Sequence, residues 1–243
     1  MGNVTTITAA PDPRSGSSHG WSAAFCLSRD TRWQPTLLGR ARRIRSVGPM
    51  NENHARVCPS PEWAEHMRTE ILPALTSRAE LGDEMLEIGP GPGAATGWLC
   101  DRVTRLTALE IEADAAARLT ERFDGRNVEV VVGDATQLRY PDATFDSVGC
   151  FTMLHHVPTQ ALQNEILAEA LRVLRPGGVL IASDSLPSDG LHHFHEGDTY
   201  NPVEPGTIVS RLQTIGFDRL TIMVNGTLMF VAHKPAVVSE HTP

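Results

Sequence analysis

The chain has 243 residues, a formal net charge of −8 and 41% hydrophobic residues. That length holds one α/β domain with a sizeable core, or one domain and a tail. The acid excess argues against a general nucleic-acid binder, and no apolar run approaches the roughly 20 residues of a membrane-spanning helix.

The charge is uneven along the chain. Residues 1–50 contain seven arginines and two aspartates, about +5, which leaves about −13 for the rest. This first segment is rich in turn formers ("APDPRSGSSHG") and has no sustained apolar period. It is expected to be a disordered extension over residues 1–49, with the folded domain over 50–243. The cysteines Cys26, Cys58, Cys100 and Cys150 form no CxxC pair and have no zinc-like spacing to histidine. They read as reduced thiols in a cytosolic protein.

From Ser60 the pattern becomes domain-like. Ser60 is placed as an N-cap and Pro61 at the first position of a helix running through "SPEWAEHMRTEILPAL". Strands are expected at 84–89, 105–112, 127–135, 145–154 and 178–184, with helices between them. The helix over 159–174 ends at "RPGG". A last helix, "GTIVSRLQTIGF", precedes two strands joined at Asn225-Gly226, a hairpin signal. Strands alternating with helices predict a Rossmann-like, doubly wound sheet of seven strands, mostly parallel with an antiparallel last strand.

The stretch "LEIGPGPGAATG" (86–97) puts a glycine loop between a strand and a helix. Two patterns fit. Gly89, Gly91 and Ala94 satisfy GxGxxG/A, with Glu110 about 20 residues on, as for a dinucleotide. Gly89, Gly91 and Gly93 satisfy GxGxG. A pyrophosphate needs free backbone N–H groups, and Pro90 and Pro92 have none. Glu87 adds a carboxylate that would repel it. A cationic cofactor without phosphate suits this loop better.

Taken in order, "LEIGPGPG", "LEIE", "GDA", "FTMLHHV" and "LRVLRPGG" resemble the class I S-adenosylmethionine-dependent methyltransferases. The likeness is to the small-molecule branch that includes the ubiquinone/menaquinone-biosynthesis type, and it spans about residues 60 to 233. It implies S-adenosylmethionine as cofactor and a role for each matched position. Glu87, Gly89, Gly91 and Gly93 would face the methionine part. Glu110 would accept from the ribose hydroxyls, and Ile111 would cover the adenine. Asp134, with Ala135 beside it, would take the adenine amino group, and Phe151 would lie by the cofactor.

His155 and His156 follow the fourth strand and are the candidate proton acceptors, if the methyl acceptor is an alcohol or carbon acid. Trp63, His66 and Tyr200 are candidate acceptor contacts. The loop 184–200 carries His192, His193, His195, Glu196 and Asp198 without HExxH-type spacing. It is expected to be a solvated lid, and no metal is assigned from the sequence. The expected activity is methylation of a small organic acceptor, oxygen ahead of carbon, with no nucleic-acid partner and no membrane span. Two rival readings are a nicotinamide-dependent oxidoreductase and a non-catalytic cofactor-binding protein. The first lacks a Tyr-x-x-x-Lys pair, since Lys234 is the one lysine. Removing residues 1–49 is expected to leave the melting temperature nearly unchanged, because that segment has little apolar surface to dock. A thermal melt of the truncated chain checks this.

Overall fold

A computed structural model describes residues 51–236, so the expectation for residues 1–49 lies outside the described residues. The first helix among the described residues is α1, Glu52–Val57, capped by Asn51, whose side chain accepts from the His54 N–H. Ser60 then caps α2, Pro61–His66, by accepting from the Trp63 N–H, and Pro61 sits in the first turn as expected. The run beyond it is not one regular helix. A π turn, Met67–Ile71, separates α2 from α3, Leu72–Thr76. Pro73 is the physical reason: it has no N–H to give to the preceding turn, and its ring crowds that turn's carbonyl.

Seven strands follow: β1 Glu84–Ile88, β2 Arg105–Glu110, β3 Val128–Val132, β4 Phe145–Phe151, β5 Leu174–Ser185, β6 Asp218–Val224 and β7 Thr227–His233. Their order is β3-β2-β1-β4-β5-β7-β6. β7 is antiparallel to both neighbours, and the pairs among β1 to β5 are parallel. Strand order reverses between β1 and β4. In open α/β sheets that switch point opens a crevice beyond the carboxyl ends of the strands.

Both faces of the sheet are covered. Leu86 and Ile88 of β1 pack with Val148, Leu154 and Ile166 on one face. Met85 packs with Leu72, Leu99 and Leu119 on the other. The alternation places Glu87 on the same face as Met85, inside the second layer. The helices on the sheet are α4 Thr96–Leu99, α5 Ala113–Arg122, α6 Gln160–Val173 and α8 Pro205–Ile215. The short α7, Asp189–Phe194, is capped by Ser188.

β5 starts earlier than the sequence suggests. Leu174 already pairs with Phe145, and regular pairing resumes at Val179 opposite Ser147. The "RPGG" stretch is thus an irregular part of the strand, pinned where Arg175 binds Asp146.

One buried polar side chain fixes the segments past β4. Gln163, 1% exposed, donates to the Leu154 and Asn201 carbonyls at 2.9 and 2.8 Å and accepts from Arg211 at 2.8 Å. Gln163→Leu is expected to lower stability by about 1–3 kcal/mol for each buried group left without a partner. Urea unfolding of the variant measures it.

Candidate active site

The glycine loop follows β1 at the switch point. Gly89, Gly91 and Gly93 all have positive φ, at 67°, 52° and 84°. At Gly93 a Cβ would also meet Leu119 Cδ1 and Phe123 Cε2 at 2.8 Å, so side-chain packing as well as φ selects glycine. The loop's backbone donors are used within the protein. Gly89 N–H donates to the Leu109 carbonyl, Gly93 N–H to the Pro90 carbonyl, and Gly91 N–H to Glu110 Oε2 at 3.1 Å. Pro90 and Pro92 have none. From 89 to 93 each N–H already has an acceptor, so the loop has no donor turned outward for a pyrophosphate.

Two buried carboxylates define this end. Glu110, at the end of β2, accepts from Gly91, Ile111 and Glu112 N–H groups, which fixes its orientation. Glu87 is 1% exposed, and its Oε2 accepts from Thr96 Oγ1 at 2.7 Å. Burial pushes the Glu87 carboxyl up from its ordinary 4.5 to about 7. The Thr96 hydrogen bond opposes that shift, and the Glu110 charge adds to it.

A cavity of about 860 Å³ opens over these groups. Glu87, Gly89, Gly91, Glu110, Ile111, Ala135 and Phe151 line it, so most of the expected cofactor residues share one space. Gly93 is held beneath, against Leu119 and Phe123. Asp134 lies between the wall residues Gly133 and Ala135, and its Oδ1 accepts from Thr136 N–H and Oγ1 at 2.9 and 2.7 Å. Thr152, next to Phe151, holds a left-handed φ of 49° and faces the cavity. A second depression, lined by Arg68, Trp98 and Arg102, reaches Leu81 and Gly82 at the opposite ends of the strands.

The far end of the cavity is bounded by Trp63, Met67, Met153, His54 and His156. Trp63 lines the cavity, whereas His66 is exposed and its ring meets Trp63 at 5.6 Å. Tyr200 stands behind the wall and stacks on His195 at 4.4 Å. His155 and His156 form a 3₁₀ turn, Leu154–His156. His155 is buried, with its Nδ1 on Asp184 Oδ1 at 2.5 Å, and Asp184 is fully buried. His156 faces the cavity; burial and the neighbouring imidazoles push its pKa down to about 2. Its ring is therefore a weak base.

The 184–200 loop divides rather than forming one solvated lid. His192, His193 and Glu196 are exposed, whereas His195 is 3% exposed and Asp198 is covered by α1. Asp198 accepts from His54 Nδ1 at 2.7 Å and from Asn51 N–H at 2.9 Å. His54, Thr96 and Asp184 escaped the sequence reading. Asn51 followed by Glu52 was a usable helix-start signal for α1, and Asp184 is an acid closing an apolar strand.

Residues 86–182 match the methyltransferase domain family Methyltransf_11. That match runs from β1 into β5, 97 of the 243 residues. S-adenosylmethionine is the cofactor of such a domain, in keeping with the loop's preference for a cationic ligand. Among similar proteins, an uncharacterised 37.1 kDa protein in a transposon of Streptomyces fradiae is 30% identical over 164 residues, 65% of this chain and 45% of that protein. A fatty-acid O-methyltransferase of Mycolicibacterium smegmatis is 33% identical over 108 residues, 44% of this chain and 38% of the enzyme. The chain thus spans less than half the length of these relatives. A chain in the complex between the Haloferax volcanii Trm112 methyltransferase activator and a putative methyltransferase shares the fold. Its TM-score is 0.61 at 15% identity, covering 76% of this chain and 98% of that one.

Buried Glu87 makes stability depend on pH. Its pKa is raised in the folded state, so its contribution is fully present below about 4.5 and is lost as pH rises through about 7. Glu87→Gln removes that loss. The variant without cofactor is expected to gain stability over wild type as pH rises from 4.5 to 8, by on the order of 3 kcal/mol at most. Denaturant melts at the two pH values measure the difference; an unchanged difference would refute the assignment.

Proposed function

We propose that the chain transfers the methyl group of S-adenosylmethionine to a small organic acceptor, oxygen ahead of carbon, as in the small-molecule branch of the class I enzymes. The observation that carries this reading is the loop whose N–H groups are all used, set beside two buried carboxylates. Such a site suits a sulfonium and an ammonium and rejects a pyrophosphate. The same observation disfavours the nicotinamide alternative. The relative acting on fatty-acid oxygen, and the apolar Trp63 and Met67 at the far end, support a small acceptor with an apolar body.

In this reading Glu87 and the loop glycines hold the methionine part. Glu110 has lone pairs left for the ribose hydroxyls after serving three N–H groups. Ile111 and Ala135 flank the adenine, Asp134 takes its amino group, and Phe151 backs the cofactor. Once bound, S-adenosylmethionine would supply a sulfonium methyl to an acceptor oxygen or carbon placed opposite its sulfur, with thioether as leaving group; an acceptor that carries a proton would have to lose it, whereas a carboxylate would not. The protein's part is to align methyl and acceptor and keep water out. His156 lines the cavity and His155 lies buried behind it. The weak basicity of His156 favours a positioning role over proton removal. The free thiols Cys58, Cys100 and Cys150 support a cytosolic setting.

Calorimetry with S-adenosylhomocysteine, S-adenosylmethionine and NAD tests the reading. The two S-adenosyl compounds are expected to bind and NAD not to. Glu110→Gln is expected to weaken S-adenosylhomocysteine by roughly 10–100-fold, from loss of hydrogen bonds to a charged acceptor. Binding of NAD with none of either S-adenosyl compound would overturn it.

A further inference from the structure

We propose that His54, His155, His156 and His195 form a binding site for one divalent transition-metal ion, of the class that imidazole suits: zinc, cobalt, nickel or iron(II). The four side chains each offer a nitrogen, and these atoms all lie within 4.8 Å of one another. His54, His155 and His195 are buried. They come from three separate segments: α1, the turn after β4, and the end of α7.

The outer contacts decide which nitrogen is free. His54 Nδ1 lies on Asp198, His155 Nδ1 on Asp184, and His195 Nδ1 on the Leu191 carbonyl at 2.6 Å. Metal-bound histidines have this pattern, with one nitrogen held by a carboxylate or carbonyl and the other on the ion. The His156 ring is likewise held, by the Thr199 backbone. His195 Nε2 is buried and meets no partner. Such an orphan is costly in an ordinary core, and a cation within reach removes that cost.

Charge points the same way. Asp184 and Asp198 are buried, and their partners among the described residues are imidazoles and backbone N–H groups. A divalent ion between the rings balances two carboxylates. A histidine cluster packed only as aromatic core would account for the ring contacts, 4.1 Å between the His155 and His156 centroids and 4.6 Å between His54 and His195. It would not account for the buried acids or the orphan nitrogen. Tetrahedral zinc, with bonds of about 2.0–2.1 Å, sets its ligand nitrogens about 3.3 Å apart. Binding therefore draws the rings together. α1 and α7 have six residues each and can shift to allow it. The ion then ties α1 and α7 to the end of β4. It also closes the far end of the cavity, which His54 and His156 line.

The test uses the full, untagged chain stripped with chelator and titrated with Co²⁺. One equivalent is expected to bind with the visible absorption of tetrahedral cobalt, and Zn²⁺ is expected to displace it. At free Zn²⁺ about 100-fold above Kd the melting temperature should rise by several degrees. His54→Gln and His195→Gln should each abolish stoichiometric binding. Asp198→Asn, which leaves every ligand in place, should weaken it by roughly 10–100-fold. Circular dichroism of the stripped proteins confirms that each variant is folded. Absence of stoichiometric binding to the wild type would overturn the proposal. So would equal affinity in wild type and in folded His195→Gln. S-adenosylhomocysteine binding measured on the same stripped wild-type sample reports separately on the cofactor reading.

Discussion

The hydrogen bond from Gly91 N–H to Glu110 joins the two ideas on which the site depends. It ties the loop after β1 to the end of β2, so the crevice at the switch point has a fixed floor. It also uses the donor that a phosphate would need. With Gly89 and Gly93 bonded to carbonyls and two prolines between, the loop offers the ligand carbonyls and carboxylates instead. The same fold with free N–H groups there would bind an anion. Cofactor choice therefore rests on how five residues use their backbone donors more than on the presence of glycine.

Burial of Glu87 carries a cost that the ligand can offset. A carboxyl with a pKa near 7 is only partly ionised at neutral pH. An ammonium placed beside it favours the charged form and draws the pKa down. The energy lost in burying the acid is then partly returned as affinity for a cationic ligand. Glu110 differs, because three backbone N–H groups already hold its carboxylate in place. One acid is held ready and the other responds, although both sit at the carboxyl ends of neighbouring strands.

The sheet was largely legible because its signals are local. Alternation and apolar runs located seven strands, and the hairpin glycine located the antiparallel one. The loop and its acids were legible for the same reason, since spacing within 86–110 fixes their geometry. Boundaries moved where a local rule met a tertiary one, as at Pro73, where a π turn replaced a straight helix, and at Leu174, where pairing began before the proline. The histidine end was not legible. His54 and His195 are 141 positions apart, and no periodicity links them. His192 and His193 look as suitable as His195 until the short α7 turns two outward and one in. A cluster assembled from three distant segments has no signature in spacing, only in the fold that brings them together.

The two ends of the cavity present the same electrostatic problem. At one end Glu87 and Glu110 are buried; at the other, Asp184 and Asp198. The described residues place no arginine or lysine in an ion pair with any of the four. Isolated buried carboxylates are costly, and a chain with this many must either leave them partly protonated or surround them with donors and cations. At the glycine loop, backbone N–H groups serve Glu110, and a cationic cofactor completes Glu87. At the histidine end, imidazole N–H groups serve both aspartates, and that fixes which ring nitrogens remain as lone pairs. One nitrogen from each of the four rings lies within 4.8 Å of the others, so the arrangement that satisfies the acids also leaves a place for a cation. The acids thus orient the site at both ends, and the ligands that fit it are positive.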